Sequence, residues 1–527
     1  MSAEANHASS APAESGSPPR EQPSGGGSRR VAHGTLTRGA GELTAKLASV
    51  AFFVVLAREL GEGQFGDFIF GMSLSAVLLS IAGIGTDELL TREVARDRSR
   101  VHGLYANILA IKGMLLAFLL VLIAVIMYLG PYSGQTRLAV QIIALGVALE
   151  VILKTPFAVL QGHERMKYIA WSLVLQRTLL AGIGVTILLG GGGLVAVSVV
   201  LPVAAGVAIA LAVFWMHRNV ERPRWTVDRS RWRMIAGKGI PLGFAILLFT
   251  LLLKADMALL SFLKGGDNTE VGQYGAAYRL IETTMFISWA FGGAMLPWLS
   301  RHEAGGGITL NRGYELSLNA LVAMLLPIGV GLVLWAEPLI DLIYGDAYAN
   351  AVLPLRLLGI MTVLFGVNSM GAILMIARDR PGDFARPAAI VIVQNLILNF
   401  ILIPPLGAVG AAINAVASGV LLAGFTLHIA SRRFGRISVV RVLAAPALGS
   451  AALALVAFAG GLSLHPAWVV AASIAYLVVF LGVERTAFPG DFAFYASAVQ
   501  RVRSNRRGGG DSKPGGPMPP IRTELEA

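Results

Sequence analysis

The 527-residue chain contains no cysteine. That excludes a disulfide framework, a thiolate metal site and a cysteine nucleophile. Charge is scarce as well: Asp, Glu, Lys and Arg make up 14% of the residues, against 55% that are hydrophobic. Water-facing domains carry roughly 25% charged residues, so most of this chain faces something other than water. There is no P-loop for ATP, and no HExxH or close His–carboxylate cluster to hold a metal. No cofactor is expected. Basic residues outnumber acidic ones, 43 to 31, for a net charge of +12. The excess lies in alternate loops between apolar segments, a topogenic pattern, and does not form a soluble basic face for nucleic acid.

What the chain has in abundance is apolar runs. A helix crossing about 30 Å of hydrocarbon needs roughly 20 mostly apolar residues. Fourteen segments meet that need: about 40–58, 68–90, 104–129, 137–160, 168–189, 193–216, 240–262, 274–298, 315–336, 351–377, 386–404, 407–430, 441–462 and 466–484. One set of alternate loops holds Arg92, Arg96, Arg98 and Arg100, then Arg165 and Lys167, then the run from Arg218 to Lys238. The same set continues with Arg301, Arg312, Arg378, Arg380, Arg386, Arg432, Arg433, Arg436 and Arg441. The other set holds Arg58, Arg137 and Lys264 alone. By the positive-inside rule the first set and both termini are cytoplasmic. Residues 1–38 and 486–527, rich in Ser, Pro and Gly or in Gly, Pro and Arg, read as disordered tails.

An internal repeat runs through the spans. Gly63-Gln64-Phe65-Gly66 falls between the first and second, and Gly272-Gln273-Tyr274-Gly275 between the seventh and eighth. Gly-rich Leu189–Leu194 joins the fifth and sixth, and Pro404–Gly410 the eleventh and twelfth. The expected fold class is therefore an all-α polytopic membrane bundle of about fourteen helices. It divides into a six-helix lobe at 39–216, a basic linker at 217–239, a second six-helix lobe at 240–430 and a further helix pair at 431–485. Transporters often place their substrate path between two such halves.

Four ordered stretches resemble the polysaccharide or O-antigen flippases of the multidrug and lipid-linked oligosaccharide exporter superfamily. They are Ala57-Arg58-Glu59-Leu60-Gly61 through Gly66 and Gly85 to Thr91-Arg92-Glu93-Val94-Ala95-Arg96; Gly239-Ile240-Pro241, Lys254-Ala255-Asp256 and Val271–Leu280 to Leu296-Pro297; Tyr344-Gly345-Asp346-Ala347-Tyr348-Ala349-Asn350-Ala351 with Leu355-Arg356-Leu357-Leu358; and Asn395–Asn399 through Ile403-Pro404 to Gly407–Ala412. The resemblance spans roughly 38–485. It implies a non-enzymatic flippase in the bacterial cytoplasmic membrane, moving a polyprenyl-pyrophosphate-linked oligosaccharide from the inner to the outer leaflet. Membrane lipids and polysaccharide assembly enzymes would be its partners. The Pro-Asn-x-x-Arg and Glu-Gly-Ala pattern of lipid II flippases is not seen after the first span, and drug exporters of the superfamily usually have twelve helices. A membrane glycosyltransferase or polymerase would need a substantial outer loop, and the outer loops here are short.

Ionisable residues inside the spans are the candidate functional groups, because each costs roughly 2.5–3.5 kcal/mol to insert. Arg177 lies mid-span with no acid at i±3 or i±4, and its guanidinium matches a pyrophosphate's oxygens. Lys112, Lys46 and Lys154 are the other candidate cavity cations, although Lys112 can instead snorkel. Glu42 with Lys46 and Glu150 with Lys154 stand at i,i+4 and can pair on their own helices. Lys254, Asp256, Arg279, Glu282 and Arg356 gather near the outer ends of the seventh, eighth and tenth spans. Asp256–Arg279 or Lys254–Glu282 pairs there would make a gate or fasten a hairpin. Asn395, Asn399 and Asn414 read as amides holding helices together. The basic linker, with Trp225 and Trp232, reads as an interfacial anchor or a surface that attracts anionic headgroups.

Overall fold

The computed structural model describes residues 27–83, 85–220, 222–301, 310–378, 380 and 382–493, with side chains described from residue 49 onward except at 241, 242, 245, 246, 297, 298, 300 and 301. Both tails lie largely outside these residues. The described chain is helical: α1 (Gly27–Gly83), α2 (Thr86–Arg96), α3 (Val101–Leu129), α4 (Gly134–Gly162), α5 (Met166–Leu189), α6 (Leu194–Ser198), α7 (Val200–Asn219), α8 (Trp232–Leu263), α9 (Thr269–Arg301), α10 (Leu310–Leu334), α11 (Ala336–Tyr344), α12 (Val352–Ala377), α13 (Gly382–Phe434), α14 (Val439–Ala459) and α15 (Pro466–Ala487). Among the described residues, ten stretches are long and apolar enough to cross a membrane. Rows of exposed large apolar side chains, such as Met114, Phe118, Val121 and Val125 on α3, suit a lipid surface and not water.

Two of the ten stretches fold back on themselves. In α1 the ring of Phe52 lies 6.4 Å from that of Phe68. Sixteen residues of straight helix would hold them about 24 Å apart, so the chain reverses between them. It does so at Gly61, whose φ of 70° with ψ of 171° strongly favours glycine. In α13, Asn395 donates to Ser418 over 3.1 Å, and the reversal is at Gly407 with φ 54° and ψ −130°. No loop residue is needed at either reversal. Gly63–Gly66 and Gly272–Gly275, expected as connections, therefore lie in opening turns of helix instead.

A second difference concerns the expected span 68–90. Helix α1 stops at Gly83, and Gly85 at φ 57° redirects the chain into α2. Asp87, Glu88, Arg92, Glu93 and Arg96 make α2 too polar to continue a span. It buries only Leu89, Leu90, Val94 and their neighbours, as an amphipathic helix does.

α1 is the hub, packing on α4 and α5 on one side and on α8 and α9 on the other. The Gly61 and Gly407 reversals, the α8–α9 connection and the α10–α12 connection, which contains α11, meet at one end of the bundle, hereafter the turn end. The loops rich in Lys and Arg gather at the opposite, basic end. α14 packs against α10 and α15 against α14, so this pair is peripheral to the hub.

Candidate functional site

At the turn end the two glycine motifs cross each other. A Cβ on Gly66 would overlap the Asn268 carbonyl and the Gly272 amide, and one on Gly272 would overlap the Glu62 carbonyl. Backbones approach that closely only where side chains are missing. Polar contacts flank the crossing: Gln273 donates to the Glu62 carboxylate, and Asn268 donates to Asp67 over 2.7 Å. Arg58 grips the last carbonyls of α11, those of Leu342 and of Ile343 at 2.8 Å. Tyr348 donates to the Ala57 carbonyl over 2.9 Å, fixing α1 beside its reversal. Glu270 accepts from the Ala408 amide over 2.7 Å and caps the second arm of α13. This end joins the first 216 residues to the later helices through many short contacts.

Three sequence candidates come together just inside the crossing. Lys254 pairs with Glu282 at 3.1 Å, and Arg279 pairs with the same carboxylate at 2.6 Å. The Arg279 guanidinium also lies 3.5 Å above the Phe53 ring of α1. Two cations sharing one acid leave a positive surplus, and all three side chains stay partly accessible. Of the two pairings weighed from sequence, Lys254–Glu282 forms and Asp256–Arg279 does not.

Asp256 turns elsewhere. It is 4% exposed, accepts from Asn399 over 2.7 Å and is approached by the Tyr274 hydroxyl at 3.3 Å. Asn399 also meets the Asn395 side-chain oxygen at 3.2 Å, and Asn414 donates to the Asn395 carbonyl over 2.8 Å. No Lys or Arg among the described residues lies within ion-pair distance of Asp256. Asn399 Oδ1, also buried, has no hydrogen-bond partner among the described residues. Asn399, with Asn395 beside it, thus does more than hold helices together, because it donates directly to the acid. Their i,i+4 spacing at 395 and 399 was the available signal. What the sequence did not show was that α8 would bring Asp256 to that face.

The remaining candidates are dispersed. Lys112 is fully buried and neither snorkels nor faces a cavity. Its ammonium is held by both Asp87 oxygens at 2.6 and 2.7 Å, by Thr155 at 2.9 Å and by the Val151 carbonyl at 3.2 Å. Those oxygens satisfy all three N–H groups, so Lys112 has none left for a ligand. Glu150 accepts from Gln176 over 2.8 Å instead of pairing with Lys154, which is exposed. Arg177 is half-buried, beside the stripe Ser172, Gln176, Leu180 and Gly184 that packs α5 inward. Neither Arg177 nor Lys154 makes an ion pair among the described residues. Arg356 reaches Glu337 at 3.8 Å, an exposed pair separate from the Glu282 cluster. The side chains of Glu42 and Lys46 lie outside the described residues.

At the basic end the linker is bound to protein. Asn107 on α3 accepts from the Asp228 amide at 2.8 Å and from the Trp232 indole at 3.0 Å, and donates to the Thr226 carbonyl at 3.3 Å. Asp97-Arg98-Ser99-Arg100 and Asp228-Arg229-Ser230-Arg231 form matching turns before α3 and α8. In each, the Asp carboxylate accepts from the Ser hydroxyl, at 2.7 and 2.6 Å, and from the Ser amide at 3.0 Å, and these bonds hold both acids below their ordinary value. The identical tetrapeptides were a missed signal. Glu93, buried on α2, bridges Arg100 and Lys238. Burial pushes its carboxyl up, but the two cations outweigh burial and leave it below its ordinary value.

Residues 31–303, just over half the chain, match the family model described as "Polysaccharide biosynthesis protein", and the chain belongs to that family. It is similar to the probable low-salt glycan biosynthesis flippase Agl15 of Haloferax volcanii, 24% identical over 384 residues, covering 70% of this chain and 76% of the relative. Among solved structures, the lipid II flippase MurJ in an inward closed conformation superposes with a TM-score of 0.72 at 13% identity, covering 88% of this chain and 100% of MurJ. An inward-facing multidrug resistance MATE family transporter of the MOP superfamily gives 0.56 at 16% identity, covering 74% and 95%. Those two likenesses establish the fold: a multi-pass membrane bundle of the MurJ and MATE type.

Proposed function

We propose that this chain is a flippase for a polyprenyl-pyrophosphate-linked oligosaccharide, acting by alternating access in a bacterial cytoplasmic membrane with both termini inside. The ten apolar stretches, two of them hairpins, together with α8 and α9, supply fourteen crossings arranged as two six-helix halves and an appended pair. The observation that carries the mechanism is the Gly66–Gly272 crossing. It closes the turn end, and directly beneath it Lys254 and Arg279 offer more positive charge than Glu282 neutralises. Arg177 and Lys154 add cations with no acid paired to them among the described residues, so a pyrophosphate head entering between the halves meets an attractive field. Opening the crossing and separating the halves at that end would release the head group outward.

Asp256 is the group best suited to couple the cycle to an ion. A buried carboxylate beside amides, with no cation next to it among the described residues, gains from binding a proton or an alkali cation. Membership in a family of polysaccharide biosynthesis proteins and the likeness to a glycan flippase support the cargo. The MATE-like fold keeps export of a small molecule as the alternative. Purified protein in liposomes separates them. Movement of a labelled lipid-linked oligosaccharide, with no movement of a cationic dye, is the expected result; the reverse result contradicts the proposal.

A further inference from the structure

Far from the crossing, at the basic end, a cavity of about 560 Å³ opens between the end of α12 and the end of α13, lined by Arg378, Arg380, Arg432, Arg433 and Phe434. Its volume is in the range of small-ligand sites. Asp383 sits 3.3 Å from Arg433, and Asp379, next to two of the arginines in sequence, lies outside the described residues. Arg380 and Arg432, both exposed, make no ion pair among the described residues. Other basic loops carry arginines too, but here four of them surround a cavity.

We propose that this cavity binds a phosphate-bearing group, delivered by an anionic lipid headgroup or by a soluble diphosphate. Guanidinium groups pair bidentately with phosphate oxygens, and basic pockets between helices at a membrane surface suit lipid phosphates. Phe434, at the rim, offers an apolar side to whatever carries the phosphate. The site stands whether or not the chain moves glycans, since it lies apart from the Glu282 cluster and the crossing.

The test uses the full chain in phosphatidylcholine nanodiscs, with cardiolipin titrated in and bound lipid counted by native mass spectrometry. Arg380 and Arg432 are exposed, so R380Q/R432Q is expected to melt like the wild type in phosphatidylcholine alone. It is expected to retain cardiolipin roughly thirty-fold more weakly. The control R92Q/R96Q removes two exposed arginines from α2 and is expected to retain it like the wild type. Inorganic pyrophosphate, added to cardiolipin-free nanodiscs, identifies the source. Stabilisation by pyrophosphate that disappears in R380Q/R432Q alone supports the same site with a soluble ligand. Equal loss in both double variants, or loss in neither with either ligand, overturns the proposal.

Discussion

Lys112 and Asp87 bring opposite charges to a part of the bundle where neither is stable alone. Breaking a buried pair from one side leaves the other charge uncompensated, at a cost of about 3–5 kcal/mol. K112M is therefore expected to lose about that much stability, measured by denaturation of the purified protein. The double variant K112M/D87N is expected to regain most of it. An unchanged midpoint in K112M would show the pair to be inert. Asp256 is expected to behave oppositely. D256N removes a buried charge that has no cation beside it among the described residues, so melting should hold or rise while liposome transport is lost. A D256N protein that transports normally would remove Asp256 from the coupling role. Both residues stand out in the sequence as charges within apolar runs. Their different fates were not legible, because each depends on which side chains distant segments deliver: Asp87 and Thr155 to Lys112, Asn399 and Tyr274 to Asp256.

The helices themselves were largely legible. Apolar length and alternating loop charge predict a bundle of membrane helices, and the glycine motifs were singled out by their repeat. Their role was less visible. Glycine in a sequence looks like a turn, whereas here Gly66 and Gly272 let two helices touch. G272A is expected to cost about 1–3 kcal/mol by overpacking and to loosen the turn end, read as faster labelling of a cysteine placed nearby. The polar helix α2 was hidden because Gly83 and Gly85 interrupt an apolar run only briefly. It matters because Glu93 ties it to α8. A carboxyl held below its unfolded value adds stability at neutral pH, which is lost as pH falls through the folded-state value. The wild type is thus expected to lose melting temperature on acidification below the ordinary Glu range, and E93Q to show a shallower loss. Parallel pH profiles would contradict the Glu93 bridge.

For the molecule as a whole, the hub helix α1 packs on α4 and α5 and on α8 and α9, and contacts at the turn end hold the first 216 residues to the later helices across the glycine crossing. At the basic end, among the described residues, the polar links are Glu93 to Lys238, His102 to the Arg224 amide and Asn107 to the linker, with no glycine crossing like that at the turn end. That asymmetry is what alternating access requires of one of its two states. Because the chain has no cysteine, a single engineered pair can interrogate the crossing without background. Glu62 and Gln273 already touch across it. In liposomes, oxidised E62C/Q273C protein is expected to stop moving a lipid-linked oligosaccharide and to recover on reduction, while each single cysteine variant stays active. Transport by the crosslinked protein at the reduced rate would contradict the account, because the halves would then not need to part at that end.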